Sequence, residues 1–179
     1  LIRNDVTSMA LERSQSHPIY WPIFLLCVVL WIIGLRGPSQ RILDLSFTVD
    51  PTALTYNSEL EQFIRKHRKQ QHQEAAVVVL ATAAHVKAAE PVVKHAGDLF
   101  DDFFGSDPSK GIWHAGGKVK ARLLNERFPN GFLYAGNSKE DLEVWSHEGC
   151  KAMLLVNCPD EVLEAVQNRI IGKPFKVIP

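Results

Sequence analysis

The sequence predicts an α/β protein, a doubly wound parallel sheet preceded by a helical module. Three observations point there. From Ala75 onward, short apolar runs of strand length alternate with segments of helical spacing, joined by connections of a few residues. That alternation is how a parallel sheet with helices on its faces is written. The stretch before Ala75 carries helical patterns and no convincing strand. With 179 residues, 46% hydrophobic and 22% charged, the chain is long enough for one good core plus a small module. The expected organisation is a helical cap region over 1–73 with an apolar helix at 19–35, an α/β core over 74–171, and a tail at 172–179.

The totals exclude some functions. Twenty basic and twenty acidic residues cancel, which removes the strongly basic face that nucleic acid requires. Cys27, Cys150 and Cys158 are odd in number and lack Cys-x-x-Cys spacing. They read as reduced thiols of a cytosolic protein, and neither as a disulfide frame nor as a zinc site.

In chain order, Leu1 to Ser16 is a loop entering a helix, capped by Asn4 or Asp5, with Val6, Met9, Ala10 and Arg13 at helical spacing. Leu1 with no preceding Met marks the chain as an expected fragment. Ile19 to Leu35 runs seventeen residues without a charge. At ~1.5 Å per residue it reaches roughly 25 Å, short of a ~30 Å hydrocarbon core. Three readings stay open: a membrane span, a helix in the membrane interface or against a membrane partner, and a buried or self-associating cap helix. Trp21 and Trp31 suit the second. Asp5 and Glu12, with no small-residue cleavage site after the run, argue against a signal peptide.

Gly37-Pro38 breaks the pattern, Pro38 to Phe47 is a short helix, and Asp50-Pro51 a turn. Asn57 caps a helix whose apolar stripe is Leu60, Phe63 and Ile64. The charge run Arg65 to Gln73 is its solvated end. Then follow strand Ala75–Ala81, helix Ala84–His95, a short strand near Asp102–Gly105, and a loop over Ser106–Ala115. Helix Gly117–Phe128, strand Phe132–Ala135, helix Ser138–His147, strand Lys151–Val156 and helix Asp160–Ile170 complete the core.

Chemistry gathers where these elements end. The strand ending at Ala81 is followed by the hydroxyl of Thr82. The Gly116-Gly117-Lys118-Val119-Lys120 segment opens a helix with two lysines. The apolar run from Phe132 stops at Gly136, and a polar loop presents Asn137, Ser138 and Asp141. Open α/β sheets bind ligands at the carboxyl ends of their strands. Hydroxyl, ammonium and carboxylate there suggest a site for a phosphate and a divalent metal. Other constellations fail: the seven histidines form no His-x-x-x-His, the Gly-Gly-Lys lacks a P-loop spacer, and Ser138 lacks a nucleophile elbow. His85 and His147 read as ordinary surface helix positions.

Ala-Thr at a strand end, the Gly-x-x-Lys helix start at Gly117 and Gly-Asn-Ser-x-x-Asp at 136–141, in that order, resemble the second, third and fourth motifs of haloacid-dehalogenase-like phosphohydrolases. More narrowly, the apolar cap helix, Leu80–Ala84 and Tyr134–Trp145 resemble the phosphatase-like domain found ahead of UbiA-type membrane prenyltransferases. The resemblance covers Asn57 to Val156. It implies a Rossmann-like (Rossmannoid) sheet with a helical cap. In the intact protein it implies Mg²⁺-dependent hydrolysis of a small phosphorylated substrate through a phosphoaspartate. Thr82, through its hydroxyl helped by its backbone N–H, and Ala83 would bind the phosphoryl group. Lys120, with Lys118 as the competing choice, would neutralise phosphoryl charge, and Asn137 and Asp141 would hold Mg²⁺. Asn137 stands where the family usually has Asp, which lowers the negative charge offered to the metal.

The family's nucleophile and general acid/base belong to an Asp-x-Asp strand at the centre of the sheet, flanked by the Thr82 and Gly136 strands. That strand would precede Leu1, so the chain alone is expected to be inactive and poorly folded. A cap whose two ends return to one sheet edge is incompatible with a single membrane crossing. The implied location is therefore cytoplasmic, with a peripheral place at the inner membrane, or beside an attached prenyltransferase, through Ile19–Leu35. The rival reading is a non-catalytic phosphate-binding or regulatory domain of such a prenyltransferase.

Overall fold

The computed structural model describes residues 21–35, 38, 39, 42, 50–70 and 77–179. The expected helix over Leu1–Ser16, most of that over Pro38–Phe47 and the expected strand start at Ala75 lie outside the described residues. The chain divides into two compact units, Leu1–Ala115 and Gly116–Pro179. It is a mixed α/β protein; among the described residues the strands pair in parallel, in one sheet of two strands and one of three.

The first unit contains α1 (Trp21–Ile32), α2 (Ser58–Gln70), β1 (Val79–His85), α3 (Val86–His95) and β2 (Asp102–Ser106). α1 is the middle of the apolar run. Cys27 on it is buried, and the Ser39 hydroxyl donates to the Cys27 carbonyl at 2.8 Å. Leu25, Leu26, Val29, Trp31, Ile32 and Ile33 stand exposed. Among the described residues no helix is long and apolar enough to cross a membrane.

α2 begins as its sequence dictates: the Asn57 side chain accepts from the Leu60 N–H at 2.8 Å, an N-cap bond that satisfies one orphan donor. Its basic run is not purely solvated. Arg65 reaches Asp98 at 2.8 Å and Arg68 reaches Asp101 at 2.6 Å, and Asp101 also accepts from the Val78 N–H at 2.7 Å. Two arginines thus tie α2 to the turn before β2 and to the chain entering β1. A small core of Leu54, Ala88 and Val92, with Tyr56 and Leu80 against it, packs α3 on β1.

β1 begins later than its apolar run suggests and continues through Thr82, Ala83 and Ala84 to His85. The run Val77–Leu80 satisfies its hydrophobic preference early, but the ladder to β2 carries the strand on: Val79 pairs Asp102, Ala81 pairs Phe104, and the register slips before His85 pairs Ser106. His85 is not a surface helix position. It is buried at the strand end, and its Nδ1 accepts from the Lys87 N–H at 3.1 Å, so it caps α3 from within the fold. The expected loop after β2 contains a short 3₁₀ turn, Pro108–Lys110, closed by an antiparallel bridge between Asp107 and Ile112.

The second unit contains α4 (Gly117–Arg127), β3 (Phe132–Gly136), α5 (Leu142–Ser146), β4 (Cys150–Val156), α6 (Asp160–Arg169) and β5 (Phe175–Ile178), with sheet order β3-β4-β5. The expected helix over Ser138–His147 is split into a 3₁₀ turn, Lys139–Asp141, and α5. The expected tail contains β5, whose Phe175 and Val177 pair Met153 and Leu155. Paired residues share a face, so Tyr134, Met153 and Phe175 form one row across the sheet. Val144, Trp145, Met153, Leu155 and Val166 are the buried centre of this unit.

Candidate functional site

Lys120 lies in the first turns of α4, on the same buried face as Ala121 and Leu124. Residues three and four apart share a side of a helix, and Leu124 stands so to Ala121 and Lys120, so Lys120 is buried with them while Lys118 stays exposed. The interior offers the ammonium a partner. Lys120 Nζ donates to Tyr134 Oη at 3.0 Å, and Tyr134 Oη donates to Asp141 Oδ1 at 2.7 Å. The direct Lys120–Asp141 separation is 3.5 Å. Lys120 is 8% exposed, Tyr134 8% and Asp141 4%. An ammonium, a phenol and a carboxylate are thus joined in one buried chain.

Asp141 is where it is because of the loop after β3. Its Oδ2 accepts from the N–H groups of Asn137 and Ser138, each at 3.0 Å, and from Ser138 Oγ at 2.9 Å. Ser138 and Asp141 form a reciprocal capping box around the 3₁₀ turn, the arrangement that Ser-x-x-acid spacing encodes. Gly136 is required by proximity: a Cβ there would meet Asp141 Cγ at 2.7 Å and Tyr134 Cε1 at 2.9 Å. The loop wraps its own carboxylate, and only a residue without a side chain lets it come so close.

The electrostatics follow. Burial pushes Asp141 up, but the Lys120 charge, the Tyr134 hydroxyl and the Asn137 and Ser138 donors outweigh it and hold the carboxyl below its ordinary 3.8. Tyr134 moves the other way, well above 10, through burial first and then the adjacent Asp141 charge and hydrogen bond. The phenol therefore remains a donor over the whole working range. Cys158, whose Sγ donates to the Gly136 carbonyl at 3.5 Å, is pushed up to about 11 by burial and by Asp141. Raised so far, it stays in the thiol form near neutral pH.

Thr82 and Ala83 belong to the first unit, at the irregular end of β1. Thr82 Oγ1 accepts from the Ala84 N–H at 3.1 Å, and the Ala83 carbonyl accepts from Ser106 Oγ at 2.6 Å. Ser106 Oγ in turn accepts from the Ala115 N–H at 3.0 Å, so this strand end is tied to both neighbouring segments. Gly105 makes the approach of β2 feasible, since a Cβ there would sit 2.5 Å from the Ala84 carbonyl oxygen. Of the sequence-predicted residues, then, Lys120 and Asp141 come together with the Asn137 backbone. Thr82 and Ala83 lie in the other unit, and Lys118 and the Asn137 side chain face outward.

Sequence reasoning missed Tyr134. In Phe-Leu-Tyr-Ala-Gly it looks like one more strand aromatic. The available signal was its phase: two residues before Gly136, on the face that Met153 and Leu155 share, a phenol has to find a polar partner indoors.

Mg²⁺ takes oxygen ligands, and the ones offered here are the Asp141 carboxylate and the exposed Asn137. Asp141 Oδ2 accepts from three donors, and Oδ1, which a cation would have to share, accepts from Tyr134 Oη at 2.7 Å and faces Lys120 Nζ at 3.5 Å. Among the described residues no three His, Cys, Asp or Glu side chains gather as a metal site.

No family model and no solved structure matches the sequence. Over 115 residues it is 34% identical to the uncharacterised protein y4nM of Sinorhizobium fredii (strain NBRC 101917 / NGR234). The matched stretch is 64% of this chain and 20% of that protein, so the chain spans about a fifth of the length of the relative it matches.

Proposed function

We propose that this chain is the core of a haloacid-dehalogenase-like phosphohydrolase domain, which handles a small phosphomonoester. The observation that carries the reading is the buried Lys120–Tyr134–Asp141 chain, set where helix α4 begins and strand β3 ends. Parallel strands present ligands at that end, and a fixed ammonium there matches a phosphoryl group, whose reaction is governed by positioning and charge stabilisation.

In this reading Lys120 offsets charge on the phosphoryl oxygens, and Asp141 holds the Lys120 head in place and the Gly136–Ser138 loop closed. The Asn137 amide and Asp141 Oδ1 would hold Mg²⁺, which when bound would add positive charge opposite the substrate. Thr82 is assigned a phosphoryl oxygen. The exposed apolar face of α1 is assigned to a membrane surface, where its Trp31 suits the interface.

The test is phosphate release from a panel of phosphomonoesters by the longest natural form of the protein, with Mg²⁺ or with EDTA. The expected result is Mg²⁺-dependent turnover that K120A abolishes and T82A reduces. Asn137, in place of the usual Asp, favours one rival: a non-catalytic phosphate-binding domain that regulates an attached membrane prenyltransferase. No turnover across the panel, with phosphate binding retained, would establish that rival and overturn catalysis.

A further inference from the structure

The Lys120 ammonium has three hydrogens to place. One goes to Tyr134 Oη at 3.0 Å and a second faces Asp141 Oδ1 at 3.5 Å. No described residue engages the third. What decides its direction is Tyr134, and Tyr134 cannot move. Its ring meets the Trp145 ring edge-on at 6.3 Å, and its own carbonyl accepts from Trp145 Nε1 at 3.2 Å. Its Cε1 would touch any side chain at Gly136, and its hydroxyl is held by Asp141. Trp145 is itself fully buried.

A lysine has a flexible four-carbon stem and a point charge, and loses precision unless something fixes its head. Asp141 alone would pull the ammonium onto itself. The phenol oxygen interposed between them holds the two charges apart, at a separation where attraction persists but the ammonium is not consumed.

We propose that Tyr134 is the positioning residue of this site: its hydroxyl aims the remaining Lys120 N–H at an incoming phosphoryl oxygen and stops the Lys120–Asp141 pair from closing on itself. The proposal rests on the phosphate reading above and adds to it a residue that touches neither phosphate nor metal.

The experiment uses inorganic phosphate as probe and the full chain as wild type, Y134F and a variant with 3-fluorotyrosine at 134. Phenylalanine keeps the ring packing and removes only the hydroxyl; fluorotyrosine restores it. Phosphate affinity is read by calorimetry, and the setting of the Lys120 head by the change in its ¹⁵Nζ shift on adding phosphate. Loss of one hydrogen bond to a charged group predicts that Y134F weakens phosphate by about tenfold or more. Fluorotyrosine should stay within about threefold of wild type, since it keeps the bond. The phosphate-induced Lys120 Nζ shift should shrink in Y134F and return with fluorotyrosine, which a merely space-filling role would leave unmoved. Wild-type affinity in Y134F, or an unchanged Lys120 Nζ response, would overturn the proposal and leave the phosphate reading standing. Failure of the wild type itself to bind phosphate would overturn the phosphate reading, and the proposed aim with it.

Discussion

Replacing Asp141 by Asn removes one charge and almost no volume. The carboxylate receives Tyr134 at 2.7 Å, the Asn137 and Ser138 N–H groups at 3.0 Å, Ser138 Oγ at 2.9 Å and Lys120 at 3.5 Å. An amide has a single acceptor oxygen. If it faces the loop, its NH₂ confronts Lys120, and a buried ammonium loses its counter-charge. If it faces Lys120, the NH₂ confronts two backbone donors. Breaking a buried ion pair from one side costs ~3–5 kcal/mol, a large share of a whole-domain stability of about 5–15 kcal/mol. With a urea slope of about 2 kcal/mol/M, the midpoint should fall by roughly 2 M. Removing both charges in K120M/D141N should cost less than the two single changes added, because neither is then left alone. A D141N midpoint within about 0.25 M of wild type, or strict additivity in the cycle, would refute the argument that these groups are a coupled buried pair. The pH dependence has a fixed sign. Asp141 is depressed in the folded state, so its contribution is fully present above its ordinary 3.8 and is lost as the pH falls through the lower folded value. Wild type should therefore lose stability over that acid range more steeply than D141N.

Two further outcomes test the same neighbourhood. G136A should destabilise by about 1–3 kcal/mol or more, because the new methyl meets a pinned carboxylate and a pinned ring; G111A, with open space around a left-handed glycine, should cost only about 1 kcal/mol. Chemical unfolding of the two side by side separates close approach from backbone strain. Cys158, pushed up to about 11 partly by the Asp141 charge, should alkylate slowly at pH 8 in wild type and faster in D141N; equal rates would remove that charge from the account.

Much of this arrangement was legible, and the illegible parts share a cause. Asn57 as a cap and the helix start at Gly117 are local, set by residues within a turn of the helix, so spacing encodes them. β5 was not legible. Phe175–Ile178 is four residues between two prolines with Lys176 among them, and only its ladder to β4, far back in the chain, makes it a strand. The same holds for the late end of β1, set by β2 and not by the run Val77–Leu80. Arg65 and Arg68 read as a solvated helix end because Asp98 and Asp101, thirty-three positions on, are invisible to helical spacing. Lys120 and Asp141 were named from motif order, and Tyr134 between them was not. A buried phenol declares itself through what it touches, and that is a property of the sheet.

The apolar helix α1 poses a separable question, because its exposure has a definite magnitude. The twelve described residues at ~1.5 Å each make about 18 Å, well under a ~30 Å hydrocarbon core. Its protein-facing side is narrow: Cys27 is 2% exposed, whereas Ile32 is 71% exposed. Moving a Val or Ile side chain from water into hydrocarbon is worth ~1.5–3 kcal/mol. Replacing Val29 and Ile32 by Glu therefore removes about 3–6 kcal/mol before any charge penalty, which is at least a hundredfold in partitioning. The wild-type chain should co-sediment with phosphatidylcholine/phosphatidylglycerol vesicles and V29E/I32E should remain in the supernatant, with unchanged unfolding of the Lys120–Asp141 unit. Wild type left in the supernatant would remove the lipid surface from the proposal. Co-sedimentation of both proteins would take Val29 and Ile32 out of the contact, because Leu25, Leu26 and Trp31 stay exposed on α1 in that variant.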